Sequence, residues 1–107
     1  LELNGRPLTP DVCIFPWKPF DPLRDELKVT EPPLLAVEIP APTQDPEQVL
    51  EKVRAYLSNG VKTCWVVSLP QRIITIYAGD GSRQTFAEGR AVDPVTALWA
   101  DLETVFS

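Results

Sequence analysis

Two short apolar runs in the middle of the chain enclose a segment with helical periodicity. The run from Leu34 to Ile39 is apolar except at Glu38, which predicts a central strand that carries one acid. The run from Val61 to Ser68 predicts a second buried strand. Between these runs, apolar residues recur at the spacing of one helix face: Val49, Leu50, Val53, Tyr56 and Leu57. The pattern therefore predicts a strand, a helix and a strand in succession.

Local signals at both ends of the predicted helix support it. Asp45 is a favourable N-cap, Pro46 suits the first helical position, and Gln48 follows three residues after the cap. Asn59 and Gly60 form a C-terminal stop. Because strand, helix and strand units connect through a right-handed crossover, we expect the two strands to be parallel.

Further strands are indicated on both sides of this unit. The short apolar run from Pro10 to Phe15 predicts a mostly buried strand with Asp11 at its start. Strands from Arg72 to Tyr77 and from Arg83 to Phe86 flank a Gly-Asp-Gly sequence, which predicts a hairpin whose turn needs a positive φ. The sequence thus predicts an α/β fold with a mixed sheet of about five or six strands and a crossover helix.

The remaining segments are less regular. Residues 1–9 predict an edge strand or a turn, and the proline-rich segment 16–33 predicts a solvated connection. Trp17 and Phe20 in that connection are either packing anchors or part of a binding rim. From Asp93 to Ser107 the apolar residues have helical spacing, and we expect a short helix that closes one face of the sheet.

The length and composition indicate one domain over residues 1–107. A chain of 107 residues with 44% apolar and 23% charged residues is ordinary for a soluble globular protein. It contains no apolar run near the roughly 18 residues that span a bilayer, so we expect no membrane segment. The first residues carry neither an initiating methionine nor a signal peptide. We therefore expect an N-terminal element of the fold to lie outside these residues.

Charge and residue types exclude several classes of function. A net charge of −5 argues against a broad basic surface for nucleic acid, although it leaves room for a small acidic metal site. The absence of histidine excludes Ser-His-Asp and Cys-His catalysis and most zinc sites. Cys13 and Cys64 both fall within predicted strands, where we expect buried free thiols of a reducing cytoplasm.

Glu38 needs a physical reason to lie in a buried strand, because an unpaired carboxylate there costs several kcal/mol. One reason is a partner cation, and Lys52 on the predicted helix can extend its amine toward the end of the strand. The other reason is a metal. Asp11 and Glu38 on neighbouring strands, with the carbonyl oxygen of Ile39, would form a hard oxygen site for Mg²⁺ or Mn²⁺. The residues alone leave both readings open.

Three motifs together resemble a known family. They are PDV at 10–12, LLAVEIPAPT at 34–43 and EKVRAYLSNGVKTCWVV at 51–67. In this combination the chain resembles the bacterial Uma-type endonucleases of the PD-(D/E)xK restriction-endonuclease-like superfamily, over roughly residues 10–107.

The resemblance implies a restriction-endonuclease-like fold and assigns roles to three residues. The family's two acids fall on Asp11 and Glu38. The superfamily places a lysine two residues after the second acid, where this chain has Pro40; in this branch the lysine moves to the helix and matches Lys52. The implied activity is Mg²⁺-dependent hydrolysis of phosphodiester bonds in nucleic acid, with DNA as the expected substrate.

Two other classes of function stay open at this stage. Ala41, Gln48 and Ser68 depart from the family pattern and favour an inactive nuclease-like module that serves in protein interaction or assembly. A small-ligand-binding domain is the third reading. A missing N-terminal element would also leave apolar surface that a second copy could cover, so a homodimer stays open as well.

Overall fold

The computed structural model describes residues 10–14 and 33–107, together with the backbone of two short strands, β1 (Glu2–Leu3) and β2 (Arg6–Pro7). Trp17 and Phe20, whose role was predicted above, lie outside the described residues. The elements that follow in the described part are β3 (Val12–Ile14), β4 (Leu35–Glu38), α1 (Pro46–Ser58), β5 (Thr63–Ser68), β6 (Ile73–Ala78), β7 (Arg83–Phe86), β8 (Arg90–Val92), β9 (Trp99–Asp101) and α2 (Leu102–Val105).

A five-stranded mixed sheet forms the centre of the described fold, in the order β3-β4-β5-β6-β7. Strands β4 and β5 are parallel and are joined through α1, whereas the other neighbouring pairs in this sheet are antiparallel. The predicted α/β fold with a mixed sheet and a crossover helix is confirmed. Neither helix in the described part has the length and apolar character needed to cross a membrane.

Helix α1 begins and ends where its local sequence predicts. The Asp45 side chain accepts a hydrogen bond from the backbone N–H of Glu47 at 3.0 Å, and Pro46 is the first helical residue. Asn59 forms the C-cap, and Gly60 follows with a φ of 97°, a conformation that favours glycine.

Each face of the sheet has its own apolar core, because successive side chains of a strand point to opposite faces. On one face α1 packs over the strands, and the buried residues there are Ala36, Val53, Tyr56, Val61 and Cys64. The opposite face packs against the C-terminal segment, and its buried residues are Leu35, Trp65, Val67, Ile74, Ile76, Ala91, Leu102 and Phe106. We call these the helix face and the C-terminal face.

The hairpin of β6 and β7 is confirmed. Its turn contains Gly81 with a φ of 89°, as the Gly-Asp-Gly sequence predicts. The Asp80 side chain accepts from the backbone N–H of Ser82 at 2.8 Å, which fixes the turn locally.

The prediction of one helix from Asp93 onward is wrong for most of that segment. Strands β8 and β9 form a two-stranded antiparallel sheet, and only the four residues of α2 are helical. The side chain of Asp93 accepts from the backbone N–H groups of Val95 and Thr96, which closes a turn where the helix was expected. Val95 and Trp99, assigned to the helix's apolar face by spacing, are both more than half exposed.

The burial expected for β3 is also wrong. Val12, Cys13 and Ile14 are exposed, because β3 is the last strand of the five-stranded sheet and pairs there with β4. Cys64 lies in the central strand β5 and is a buried free thiol, as predicted. The two cysteines therefore differ because one strand is central and the other lies at an edge.

Candidate active site

Glu38 is the last residue of β4 and lies on the helix face of the sheet. It is two residues from Ala36, which is buried in the core beneath α1, so the two side chains share that face. Only 5% of Glu38 is exposed. The Glu38 carboxylate therefore lies buried beneath α1, at the end of β4.

Tyr56 of α1 is the direct partner of Glu38. Its hydroxyl donates to Glu38 Oε1 at 2.5 Å, and its side chain is fully buried. Burial, followed by the hydrogen bond to Glu38, raises the pKa of Tyr56 well above its usual value. The phenol therefore stays protonated and serves as a donor that fixes one oxygen of the carboxylate.

Asp11 immediately precedes β3 and connects it to the end of β4. Its Oδ2 accepts from the backbone N–H of Ile39 at 2.6 Å. Val12 pairs with Val37 in the antiparallel register, so the next position along β3 brings Asp11 beside Glu38. The charge of Asp11 accordingly raises the pKa of Glu38. The structure thus brings the two predicted acids together.

Lys52 lies on α1 one turn before Tyr56 and is half-buried. Residues four apart on a helix share a face, so Lys52 is directed to the same side as the phenol that binds Glu38. Its positive charge lowers the pKa of Glu38. Lys52 therefore lies on the part of α1 that carries Tyr56, close enough for its charge to act on Glu38.

The opposing influences on Glu38 leave its pKa raised. Burial is the largest cause and favours the neutral carboxyl; the hydrogen bond from Tyr56 and the charge of Lys52 oppose it, and Asp11 adds to it. A cation in addition to Lys52, bound beside Asp11 and Glu38, would reduce both the cost of burying the Glu38 charge and the repulsion between the two carboxylates. The electrostatics thus favour a site for positive charge.

The donor set fits Mg²⁺ or Mn²⁺. Asp11 and Glu38 offer carboxylate oxygens, and within residues 10–14 and 33–107 no group of three or more His, Cys, Asp or Glu side chains forms a metal site. Mg²⁺ commonly uses one or two carboxylates and keeps several water ligands, so two acids are sufficient. The backbone N–H of Ile39 binds Asp11, and a role for its carbonyl oxygen as a metal ligand stays a prediction.

Thiol chemistry is disfavoured on this face. Cys64 lies in the core beneath α1, and burial, with the charge of Glu38, raises its pKa to about 12. A thiol that stays protonated at neutral pH is a poor nucleophile.

Two polar contacts of importance were missed by sequence reasoning. Tyr56 was assigned to the apolar stripe of α1, one turn after Lys52, but its hydroxyl was given no role, although that spacing was a usable signal for the site. Asp93 received no role beyond the start of the predicted C-terminal helix.

Asp93 is a second buried carboxylate, on the C-terminal face. It is fully buried, and its Oδ2 accepts from Thr63 Oγ1 at 2.5 Å and from Trp65 Nε1 at 2.9 Å. Its Oδ1 accepts from the backbone N–H groups of Val95 and Thr96 at 2.9 and 3.1 Å. Burial raises the pKa of Asp93, but these four hydrogen bonds outweigh it and leave the pKa below its usual value. This arrangement is that of a structural acid, because donors of the described part of the chain occupy both carboxylate oxygens.

Comparison with known proteins assigns the chain to a family. A solved structure, a putative nuclease of DUF820 from Anabaena variabilis, matches with a TM-score of 0.60 and 20% identity, over 71% of this chain. The match covers 45% of that protein, so this chain spans less than half of its length, and the likeness shows a shared fold. No curated protein matches the chain. The family described as "Putative restriction endonuclease" matches residues 1–103, and the chain therefore belongs to this Uma2 family.

Proposed function

We propose that this chain is a divalent-metal-dependent endonuclease domain that hydrolyses phosphodiester bonds of nucleic acid, with DNA as its substrate. One observation carries the proposal: Asp11 and Glu38 lie together at the end of β4, and Lys52 acts on the same buried carboxylate from α1. Membership of the Uma2 family and the nuclease-like fold support it. The buried free thiol of Cys64 is typical of a reducing compartment and supports a location in the bacterial cytoplasm.

Each residue of the cluster has a distinct part in this proposal. Asp11 and Glu38, with the carbonyl oxygen of Ile39, would hold Mg²⁺ or Mn²⁺. When bound, such an ion polarises the phosphate and lowers the pKa of a water molecule. Tyr56 holds Glu38 Oε1 and so determines which carboxylate oxygen faces the ion. Lys52 supplies positive charge where negative charge develops on the phosphate in the transition state.

Calorimetric titration of Mn²⁺ into the full chain tests the metal site. The wild-type protein and a Glu88→Gln control, which changes an exposed acid in the connection before β8, should bind Mn²⁺ saturably. Glu38→Gln should lose this binding while it keeps the fold, because glutamine preserves the shape and can still accept from Tyr56. If a folded wild-type protein binds no Mn²⁺, the metal-dependent nuclease is excluded and the interaction or assembly module is favoured.

Cleavage of labelled DNA in Mg²⁺ or Mn²⁺ tests the role of Lys52. We expect Lys52→Ala to reduce the cleavage rate by about 100-fold, the usual effect of removing one group that stabilises transition-state charge. Lys62→Ala, at an exposed lysine just before β5, is the matched control and should cleave like the wild type. Equal loss in both variants would show that Lys52 contributes only general positive charge.

A further inference from the structure

A cavity of about 420 Å³ adjoins the acid cluster on the helix face. It lies between the connection after β4, helix α1 and the ends of β5 and β6. Val66, one of its lining residues, pairs directly with Glu38 in the parallel register, and Pro40 follows Glu38 by two positions. The cavity therefore lies next to the proposed catalytic site, although neither acid lines it.

The described residues that line the cavity carry no formal charge. Its walls are formed by apolar side chains, such as Leu50 and Val66, and by the ring of Tyr77. Polar groups are interspersed among them, with Gln44 and Gln71 offering carboxamides that both donate and accept. Phosphate and metal ions would find no charge partner here. A flat, uncharged ring with hydrogen-bonding edges matches both the walls and the polar groups.

Size and overall charge restrict the occupant further. A volume of about 420 Å³ lies within the range of pockets that hold a small organic group, and a base inside a duplex would have to leave the stack to enter such a pocket. The net charge of −5 limits the affinity that phosphate contacts can supply. Contacts to a base must then contribute a larger share of the binding.

We propose that this cavity binds one unpaired nucleobase of the substrate strand, next to the bond that the acid cluster hydrolyses. The inference rests on the proposed nuclease function and adds the substrate class: single-stranded DNA, or a duplex that readily releases a base. Carboxamides read the hydrogen-bonding edge of the base, and the Tyr77 ring and aliphatic walls cover its faces.

Binding without cleavage is the first test. Fluorescence anisotropy of the full chain in EDTA compares a labelled single-stranded oligodeoxynucleotide, the same sequence as a paired duplex, and that duplex with one mismatched pair. We expect the single strand to bind about tenfold or more tightly than the paired duplex, with the mismatched duplex between them, because a mispaired base leaves the stack more easily. Equal binding of single strand and paired duplex would overturn the inference.

A variant that fills the cavity tests whether the preference for single-stranded DNA arises from binding in the cavity. Gln71→Trp puts a large ring at an exposed lining position and should abolish the preference for the single strand. Gln84→Trp, at an exposed position of β7 outside the cavity, is the matched control and should retain it. A Gln71→Trp protein that is folded and keeps the preference contradicts the inference.

A single strand that carries abasic positions provides the same test on the wild-type protein, should Gln71→Trp fail to fold. Removal of the bases should cost about tenfold in affinity, whereas unchanged affinity would exclude a base site. Cleavage in Mn²⁺ separates this inference from the proposed function. Preferential binding without cleavage of any oligonucleotide contradicts the nuclease alone, and cleavage without a single-strand preference contradicts the base site alone.

Discussion

The two faces of the central sheet each bury one carboxylate, and the two acids differ in almost every other respect. Asp93, on the C-terminal face, accepts four hydrogen bonds and has a lowered pKa. Glu38, on the helix face, accepts from Tyr56, lies beside Asp11, and has a raised pKa. One acid is fully satisfied by its own chain, whereas the other is placed against a second negative charge.

This difference separates a structural acid from the acid that we propose to be functional. A carboxylate surrounded by donors stabilises the fold in its charged form. Its oxygens are occupied by these hydrogen bonds, so it has no capacity to bind another partner. A carboxylate beside a second acid is poorly stabilised by the protein and gains by binding a cation. Burial alone therefore does not identify a functional acid. The number of hydrogen-bond donors around the carboxylate and the charge of its neighbours distinguish the two cases.

Removal of Asp93 should produce the largest loss of stability. Asp93→Ala leaves four donors, two of them on Thr63 and Trp65, without their acceptor, and each buried unsatisfied group costs about 1–3 kcal/mol. We expect the free energy of unfolding to fall by roughly 3 kcal/mol or more, measured by urea denaturation. Glu88→Ala, at an exposed acid, is the control and should change it little. A loss below about 1 kcal/mol for Asp93→Ala would erase the distinction between the two acids.

Tyr56→Phe should reduce the free energy of unfolding by less than Asp93→Ala does, and it should also weaken Mn²⁺ binding. It removes the hydrogen bond that the Glu38 carboxylate accepts from the Tyr56 hydroxyl, and a hydrogen bond to a charged group is worth about 1.5–3 kcal/mol. Since the donation from Tyr56 lowers the pKa of Glu38, its loss should raise that pKa further and weaken Mn²⁺ binding.

Tyr77→Phe is the matched control for Tyr56→Phe in the Mn²⁺ titration. The Tyr77 hydroxyl makes no hydrogen bond to another residue of the described part of the chain, so its loss should leave Mn²⁺ affinity unchanged. Equal effects of the two substitutions on Mn²⁺ affinity would show that Tyr56 acts only through packing.

The smallest expected effect is on how stability depends on pH. Glu38 and Asp93 should contribute to this dependence with opposite signs. The folded pKa of Glu38 is raised, so its contribution to stability is full below its unfolded pKa of about 4.3 and is lost as pH rises through the folded value. The folded pKa of Asp93 is lowered, so its contribution is present above an unfolded pKa of about 3.9 and is lost as pH falls through the folded value.

Urea denaturation of Glu38→Gln and Asp93→Asn across acid and neutral pH measures both signs. Relative to the wild type, Glu38→Gln should gain stability as pH rises, because the glutamine carries no buried charge. Asp93→Asn should be most destabilised near neutral pH and least at acid pH. Parallel pH profiles for the two variants would contradict the assignment of one acid to structure and the other to function.

The elements that depend on neighbours in sequence were predicted well. The start of α1 at Pro46 follows from the Asp45 cap, and its end follows from Asn59 and Gly60, all within a few residues of each other. The parallel pairing of β4 and β5 follows from the strand, helix and strand order. Clustering of Asp11, Glu38 and Lys52 followed from the family motifs, and their catalytic roles stay predictions.

The C-terminal segment could not be predicted in the same way. Its apolar spacing fits a helix, but Asp93 accepts from Thr63 and Trp65, which lie 30 and 28 positions earlier in the chain. These long-range contacts, with the local turn that Asp93 closes, favour the hairpin of β8 and β9 over the helix. Spacing along the chain carries no information about such partners.

The sequence by itself determined the α/β order of elements, the ends of α1 and the identity of the candidate acids and lysine, because caps, periodicity and motifs are local properties of the chain. Only the tertiary structure decided that Tyr56 holds Glu38, that Asp93 is the fully satisfied acid, and that an uncharged cavity adjoins the site. These features depend on groups far apart in sequence, and burial and hydrogen-bond partners exist only once the sheet has brought those groups together.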